Sequence, residues 1–135
     1  MDSLLPLAQK VGEKLKARKE TIGISESSAG GLVSAALLAV PREKRAGVRS
    51  SSEAWALLAA EHVRERLKTT WGLAETGAAG PTGNSYGDPS GHTCVAVVGP
   101  KGSVARTLRT GSGDRVANMR AFAAEALKLM DEQLS

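Results

Sequence analysis

The sequence predicts an α/β domain, a mixed β-sheet with helices on both faces. Three observations predict it. Segments with a helical hydrophobic period alternate with short strand-like runs through the first half of the chain. Two further strand-like runs follow, joined by the tight Gly99-Pro100-Lys101-Gly102 turn. Alternation favours parallel pairing through crossovers, whereas the turn adds an antiparallel hairpin. Finally, 41% of the 135 residues are apolar and 24% charged, so the chain can bury a core and reads as one domain over 1–135.

Leu4, Leu7, Ala8, Val11 and Leu15 place a helix over Leu4 to Arg18, capped by Asp2 or Ser3 with Pro6 in its first turn. Lys14, Lys16, Arg18 and Lys19 load the C-terminal end, where cations suit the helix dipole. Thr21 to Ser25 reads as a strand. It passes through Glu26-Ser27-Ser28-Ala29-Gly30-Gly31 into a small apolar helix, Leu32 to Val40, stopped by Pro41. Arg42 to Arg49 reads as a basic, turn-like linker. Ser52 to Lys68 is an amphipathic helix carrying Trp55, Leu58, Val63 and Leu67, and Trp71 to Ala74 a second strand. Glu75 to Gly91, with five glycines, is expected to be a long polar loop, a kind of segment that is usually functional or mobile. His92 to Val98 and Ser103 to Arg109 form the hairpin. Asp114 to Leu134 closes the chain as a helix with Val116, Met119, Phe122, Ala123, Ala126, Leu127 and Met130 on its apolar face.

Composition narrows the function classes. The net charge of +4 permits nucleic-acid binding without demanding it, and plain solubility explains it as well. Aromatics at 3% argue against a single-strand stacking platform, and no recognition motif is present, so no nucleic-acid partner is expected. The four cations Arg42, Lys44, Arg45 and Arg49 read as a solvated linker. No apolar run is long enough to span a bilayer, and the N-terminus lacks a basic segment before an apolar run. A single cysteine, Cys94, suits a reducing compartment and the role of a small buried hydrophobe. The expectation is a cytoplasmic protein with no membrane partner.

Chemistry concentrates where strands end. In open α/β sheets, ligands sit beyond the carboxyl ends of strands, and two glycine-rich stretches stand there. In the first, Gly30 and Gly31 let the backbone approach a ligand, the N–H groups of the following helix favour an anion, and Ser27 and Ser28 add hydroxyls. Equally, Ser28 can be an N-cap and the glycines turn formers. The second, Thr76-Gly77-Ala78-Ala79-Gly80-Pro81-Thr82-Gly83, lacks a Walker A ending, yet its glycines favour N–H groups converging on a phosphate or carboxylate. Glu26 and Glu75 stand at strand ends, as ligand-orienting groups or bases, or in capping and turn roles. Arg115 opens the last helix, where it caps or reaches an anion. His62, expected on a solvated helix face, and His92, expected to pack or hydrogen-bond at a strand edge, form no metal cluster with one cysteine, so no metal and no cofactor are expected.

These residues carry a resemblance. Glu26 to Gly31 resembles the Glu-Ser-Cys-Thr-Gly-Gly signature of CinA C-terminal domains, and Thr76 to Gly83 resembles that family's Thr-Gly-Ile-Ala-Gly-Pro-Gly-Gly loop. Gly91 before an apolar strand and Gly113-Asp114-Arg115 before the last helix follow in family order. The resemblance covers nearly the whole chain. It implies a three-layer α/β sandwich, often a homodimer, that hydrolyses nicotinamide mononucleotide to nicotinic acid mononucleotide and ammonia. It implies Ser27 as nucleophile. Glu26, Ser28, Gly30, Gly31, Thr76, Gly77, Ala79 and Gly80 fall in the substrate and oxyanion region, and Arg115 becomes a phosphate partner. Two departures stand out. Ser28-Ala29 replaces Cys-Thr. Family members also continue after the first motif's helix with a Gly-Gly-x-Val-x-Tyr strand and, in bacteria, a lysine. Here Val40-Pro41 runs directly into Arg42, and the only tyrosine, Tyr86, lies in another loop. The pattern points to an internal deletion after Pro41, which a spliced form or omitted residues would also produce. A chain without that segment would lack its general base and persist as a nucleotide-binding or dimerisation module.

Overall fold

The computed structural model describes residues 4–27 and 47–135. The order of elements among them is α1 (Leu5–Arg18), β1 (Ile22–Glu26), α2 (Glu53–Leu67), β2 (Trp71–Ala78), β3 (His92–Gly99), β4 (Gly102–Arg109) and α3 (Arg115–Gln133). The expected helix over 32–40, and with it Ser28, Gly30 and Gly31, lies outside the described residues, as do Asp2 and Ser3. Leu4 takes the N-cap position of α1 with no side-chain cap.

The four strands stand in the order β1-β2-β3-β4. β1 and β2 are parallel, with Glu26 opposite Glu75. β2 with β3 and β3 with β4 are antiparallel, so the sheet is mixed as expected. Gly99 pairs with Gly102 and leaves Pro100-Lys101 as a two-residue turn.

Side chains alternate across a strand, and the two faces of this sheet differ in size. One presents Trp71, Leu73, Val95 and Val97 to Val11 and Leu15 of α1 and to Ala126, Leu129 and Met130 of α3. The other presents Ala74, Cys94 and Ala96 to Ala56, Ala59 and Ala60 of α2. Helices therefore cover both faces, and the three layers match the expected sandwich. On the small-residue face the helix comes very near. A Cβ at Gly72 would lie 1.9 Å from the Ala60 carbonyl oxygen.

That close approach corrects the expected apolar face of α2. Ala56, Ala59, Ala60 and Val63 are buried, while Leu67 is 59% exposed, because bulky side chains do not fit between α2 and Gly72. On α3, Val116 is exposed and a polar residue, Asn118, is buried in the first turn. Ser52 and Asp114 cap α2 and α3 by accepting from the Trp55 and Ala117 N–H groups. The Lys10 and Lys14 ammonium groups on Asp131 tie α1 to α3, and Arg106 ties β4 to α3 through Glu125 and Glu132. The Trp71 indole N–H donates to Glu20 at 2.7 Å.

Candidate functional site

The second strand is twice as long as expected. Glu75, Thr76, Gly77 and Ala78 continue β2 instead of opening a loop, because each pairs with a residue of β3. Gly77 serves that pairing. A Cβ there would lie 2.4 Å from the His92 carbonyl oxygen, so the glycine lets two strands approach and is not a turn former. Glu75 consequently stands within the strand, buried, accepting from the Thr93 hydroxyl at 2.6 Å. Thr76 is buried too, and its hydroxyl accepts from the Ser51 N–H at 3.2 Å. The true loop runs over 79–91.

At its start, where β1 and β2 both end, lies a cavity of about 300 Å³ lined by Ser27, Gly77, Ala78, Ala79, Gly80, Thr82, Gly83, Asn84 and Arg115. Of the candidate residues the structure brings together Ser27, Gly77, Ala79, Gly80 and Arg115. It sets Glu26 and Glu75 apart. They line a second, smaller apolar cavity of about 160 Å³ with Leu73 and α3 residues. Burial raises the Glu26 carboxyl above the usual carboxylate range.

The loop's backbone is held from α3. The Arg115 guanidinium donates to the Gly80 carbonyl at 2.9 Å. Gly80 has φ +105, and a Cβ there would meet the Ser90 hydroxyl at 2.5 Å, so the position demands glycine. Gly80 is buried, and no described residue accepts its N–H; those of Thr82 and Gly83 likewise find no acceptor among the described residues. Unpaired N–H groups in a concave turn beside a guanidinium attract an oxyanion, a carboxylate or a phosphate.

The far end of the loop is latched by residues whose roles sequence reasoning did not assign. Asp88 is buried and receives Arg49 at 2.6 and 3.3 Å, along with the Asn84 amide at 2.9 Å. These hydrogen bonds hold its carboxyl down at about 2. Arg49 also lies over the Tyr86 ring, 5.4 Å from its centroid. Arg49 is thus an anchored group and not part of a solvated linker, while Arg42, Lys44 and Arg45 lie outside the described residues.

His92 is buried on an interior strand, not at an edge. Its Nε2 donates to the Ser51 carbonyl at 2.9 Å, and its Nδ1 accepts from Arg109 at 3.4 Å. Cys94 is buried as expected, and burial pushes its thiol up. His62 is half-buried rather than solvated, and its Nε2 has no partner among the described residues. Among the described residues no His, Cys, Asp or Glu group could hold a metal, and no helix is long and apolar enough to cross a membrane.

Comparison with known proteins bears on this arrangement. The pattern of the CinA C-terminal domain matches residues 4–46 and 35–134. A CinA-like protein of Desulforapulum autotrophicum is 30% identical over 155 residues, covering 96% of this chain and 37% of that protein. One from Prochlorococcus marinus is 36% identical over 130 residues, covering 78% and 30%. This chain therefore spans about a third of the length of the curated relatives it matches. In fold it is similar to the competence-damaged protein (CinA) superfamily structure from Klebsiella pneumoniae, with a TM-score of 0.82 at 23% identity over 97% of both chains. The Enterobacter cloacae structure gives 0.83 at 22% identity, covering 98% of this chain and 92% of that one.

Proposed function

The chain belongs to the CinA C-terminal domain family, and on that premise we propose that it binds nicotinamide mononucleotide in the cavity beside Ser27 and is built as an amidase for it. The observation that carries the reading is the convergence of Ser27, the Ala79–Gly83 backbone and Arg115 on one cavity of about 300 Å³. That volume lies at the lower end of small-molecule sites, about 300–1,000 Å³. Each part suits a part of this ligand. Arg115 and the unpaired N–H groups suit the phosphate or a developing oxyanion, and the Ser27 hydroxyl suits the carboxamide carbon.

In the reaction, the Ser27 oxygen bonds to the carboxamide carbon and its proton passes to a base. The carbonyl oxygen becomes an oxyanion, which the Gly80 N–H stabilises. Ammonia leaves carrying the proton, and an acyl-serine remains. Water then hydrolyses that ester to the acid and restores the hydroxyl.

A second reading is favoured by a specific observation. The described wall of the cavity holds no imidazole, carboxylate or amine to take the serine proton. The alignment with the Desulforapulum relative, 155 residues long, exceeds the 135 residues of the whole chain. This relative thus carries residues that face gaps here, which supports an internal deletion without placing it. A missing general base costs about 10²–10⁴ in rate. Under this reading the domain binds the nucleotide and does not turn it over.

Ammonia release and ligand-induced stabilisation, measured together, distinguish the two. At a hundredfold excess over Kd the nucleotide should stabilise the fold by about 2.7 kcal/mol. Ser27→Ala should keep that shift and abolish ammonia release. Binding without release in the wild type selects the module reading, and no binding by the folded protein sinks both.

A further inference from the structure

Asn118 is 1% exposed in the first turn of α3, one turn beyond Arg115, and it does not line the cavity. A buried amide needs partners for two N–H groups and one oxygen, and here each is present. Nδ2 donates to the Ala79 carbonyl at 2.8 Å and to the Ser112 carbonyl at 2.8 Å. Oδ1 accepts from the Thr110 hydroxyl at 2.5 Å. Thr110 in turn accepts from the Ser112 N–H at 3.1 Å, and Ser90 donates to the Ser112 carbonyl at 2.8 Å. Two carbonyls on one side and a hydroxyl on the other fix which way the amide points.

The consequence falls on one peptide plane. Asn118 holds the Ala79 carbonyl and Arg115 the next one, Gly80, so α3 grips two successive carbonyls. The Ala79–Gly80 peptide is trans, since the cis bond is the following one, Gly80-Pro81. In a trans peptide the C=O and N–H point in opposite directions. Drawing the Ala79 oxygen onto Asn118 therefore turns the Gly80 N–H away from α3. Gly80 is buried, and that N–H has no acceptor among the described residues. An N–H beside a cavity that no described residue accepts is open to a ligand oxygen.

We propose that Asn118 is a positioning residue: by holding the Ala79 carbonyl it keeps the Gly80 N–H open as the fixed donor of the cavity, to an oxygen of the bound ligand. The identity of that ligand rests on the nucleotide reading above; the orientation of the peptide does not.

Two variants and two readouts test it. Asn118→Asp is nearly isosteric but replaces the donating NH2 with an oxygen that repels the two carbonyls. Thr110→Val keeps Asn118 and removes only the hydroxyl that orients it, at an exposed position, so it preserves the fold if Asp does not. The first readout is the orientation of the Gly80 N–H vector by residual dipolar couplings in the free protein. It should change in both variants while couplings of β2 and β3 amides stay. The second is the Kd for nicotinamide mononucleotide, expected to rise about tenfold in Asn118→Asp, the loss of one hydrogen bond. If the wild type turns the nucleotide over, kcat should fall more than KM rises. An unchanged Gly80 vector in the folded variants overturns the proposal, as does an altered vector with unaltered affinity in a wild type that binds. No binding by the wild type removes the nucleotide reading alone, and the vector then decides the positioning role by itself.

Discussion

Arg49 and Asp88 are 39 residues apart in sequence and meet at 2.6 Å, closing the far end of the loop against the turn that precedes α2. The carboxylate is buried and the guanidinium half-exposed, so removing the arginine leaves an acid with Asn84 and, at 3.7 Å, His92 as its side-chain partners among the described residues. Arg49→Ala should lower stability, because it strips a buried carboxylate of its charged partner. A lower urea midpoint at unchanged slope would show it, and an unchanged midpoint would rule the latch out. The same pair sets an acid limit. The Asp88 carboxyl titrates at about 2 in the fold against 3.8 free. A depressed folded value means that its contribution is complete above about 4 and is lost as pH falls through about 2. Thermal melts from pH 5 down to 2 should show a loss that Asp88→Asn lacks. Nothing local in the sequence announces this pair. Arg49 reads there as one of four clustered cations, and only the fold brings an acid to it.

Among the elements, β2 best separates what was legible from what was not. Its core, Trp71 to Ala74, and the approximate limits of α1, α2, α3 and the hairpin follow from hydrophobic period and turn glycines. The extension over Glu75 to Ala78 did not, since Glu-Thr-Gly-Ala has the chemistry of a turn and becomes a strand only by pairing with the buried β3. Asn118 escaped for a related reason: periodicity finds apolar faces, and a buried amide looks like a solvent-facing residue until its partners arrive from 79, 110 and 112. Of the candidate site, the strand-end serine, the glycine loop and the helix-opening arginine were legible, and their convergence required the fold. The α2 face of the sheet yields a direct test. Gly72→Ala drives a Cβ into backbone, 1.9 Å from the Ala60 oxygen and 2.9 Å from the Arg64 Cβ. Neither neighbour is the free end of a side chain, so α2 must move off the sheet. The cost should be at least the 1–3 kcal/mol of ordinary overpacking, read as a lower denaturation midpoint. Gly12→Ala, where nothing lies within 4 Å, should instead be neutral or slightly stabilising.

Charge at the scale of the whole molecule bears on partners. A net charge of +4 suggests an attraction to polyanions, yet some of the cations are held in ion pairs. Lys10 and Lys14 sit on Asp131, Arg106 on Glu125 and Glu132, and Arg49 on Asp88. Arg115 faces the cavity, a concave place suited to a small anion and too narrow for a duplex. Nucleic-acid affinity grows with the number of phosphates neutralised at once, and each one steepens the salt dependence by about 0.9 in log–log slope. Each cation so paired offers one such contact fewer. Retention on duplex DNA should therefore be weak at low salt and gone by about 0.15 M, where the screening length is about 8 Å. Nicotinamide mononucleotide should bind at that same ionic strength, because a buried N–H and a guanidinium lining a cavity are screened far less than surface charges. Titrating both ligands across a salt series checks the contrast. Tight DNA binding at 0.15 M salt, lost when Arg42, Lys44, Arg45 and Arg49 become alanine, would make the basic segment a nucleic-acid site and overturn the prediction.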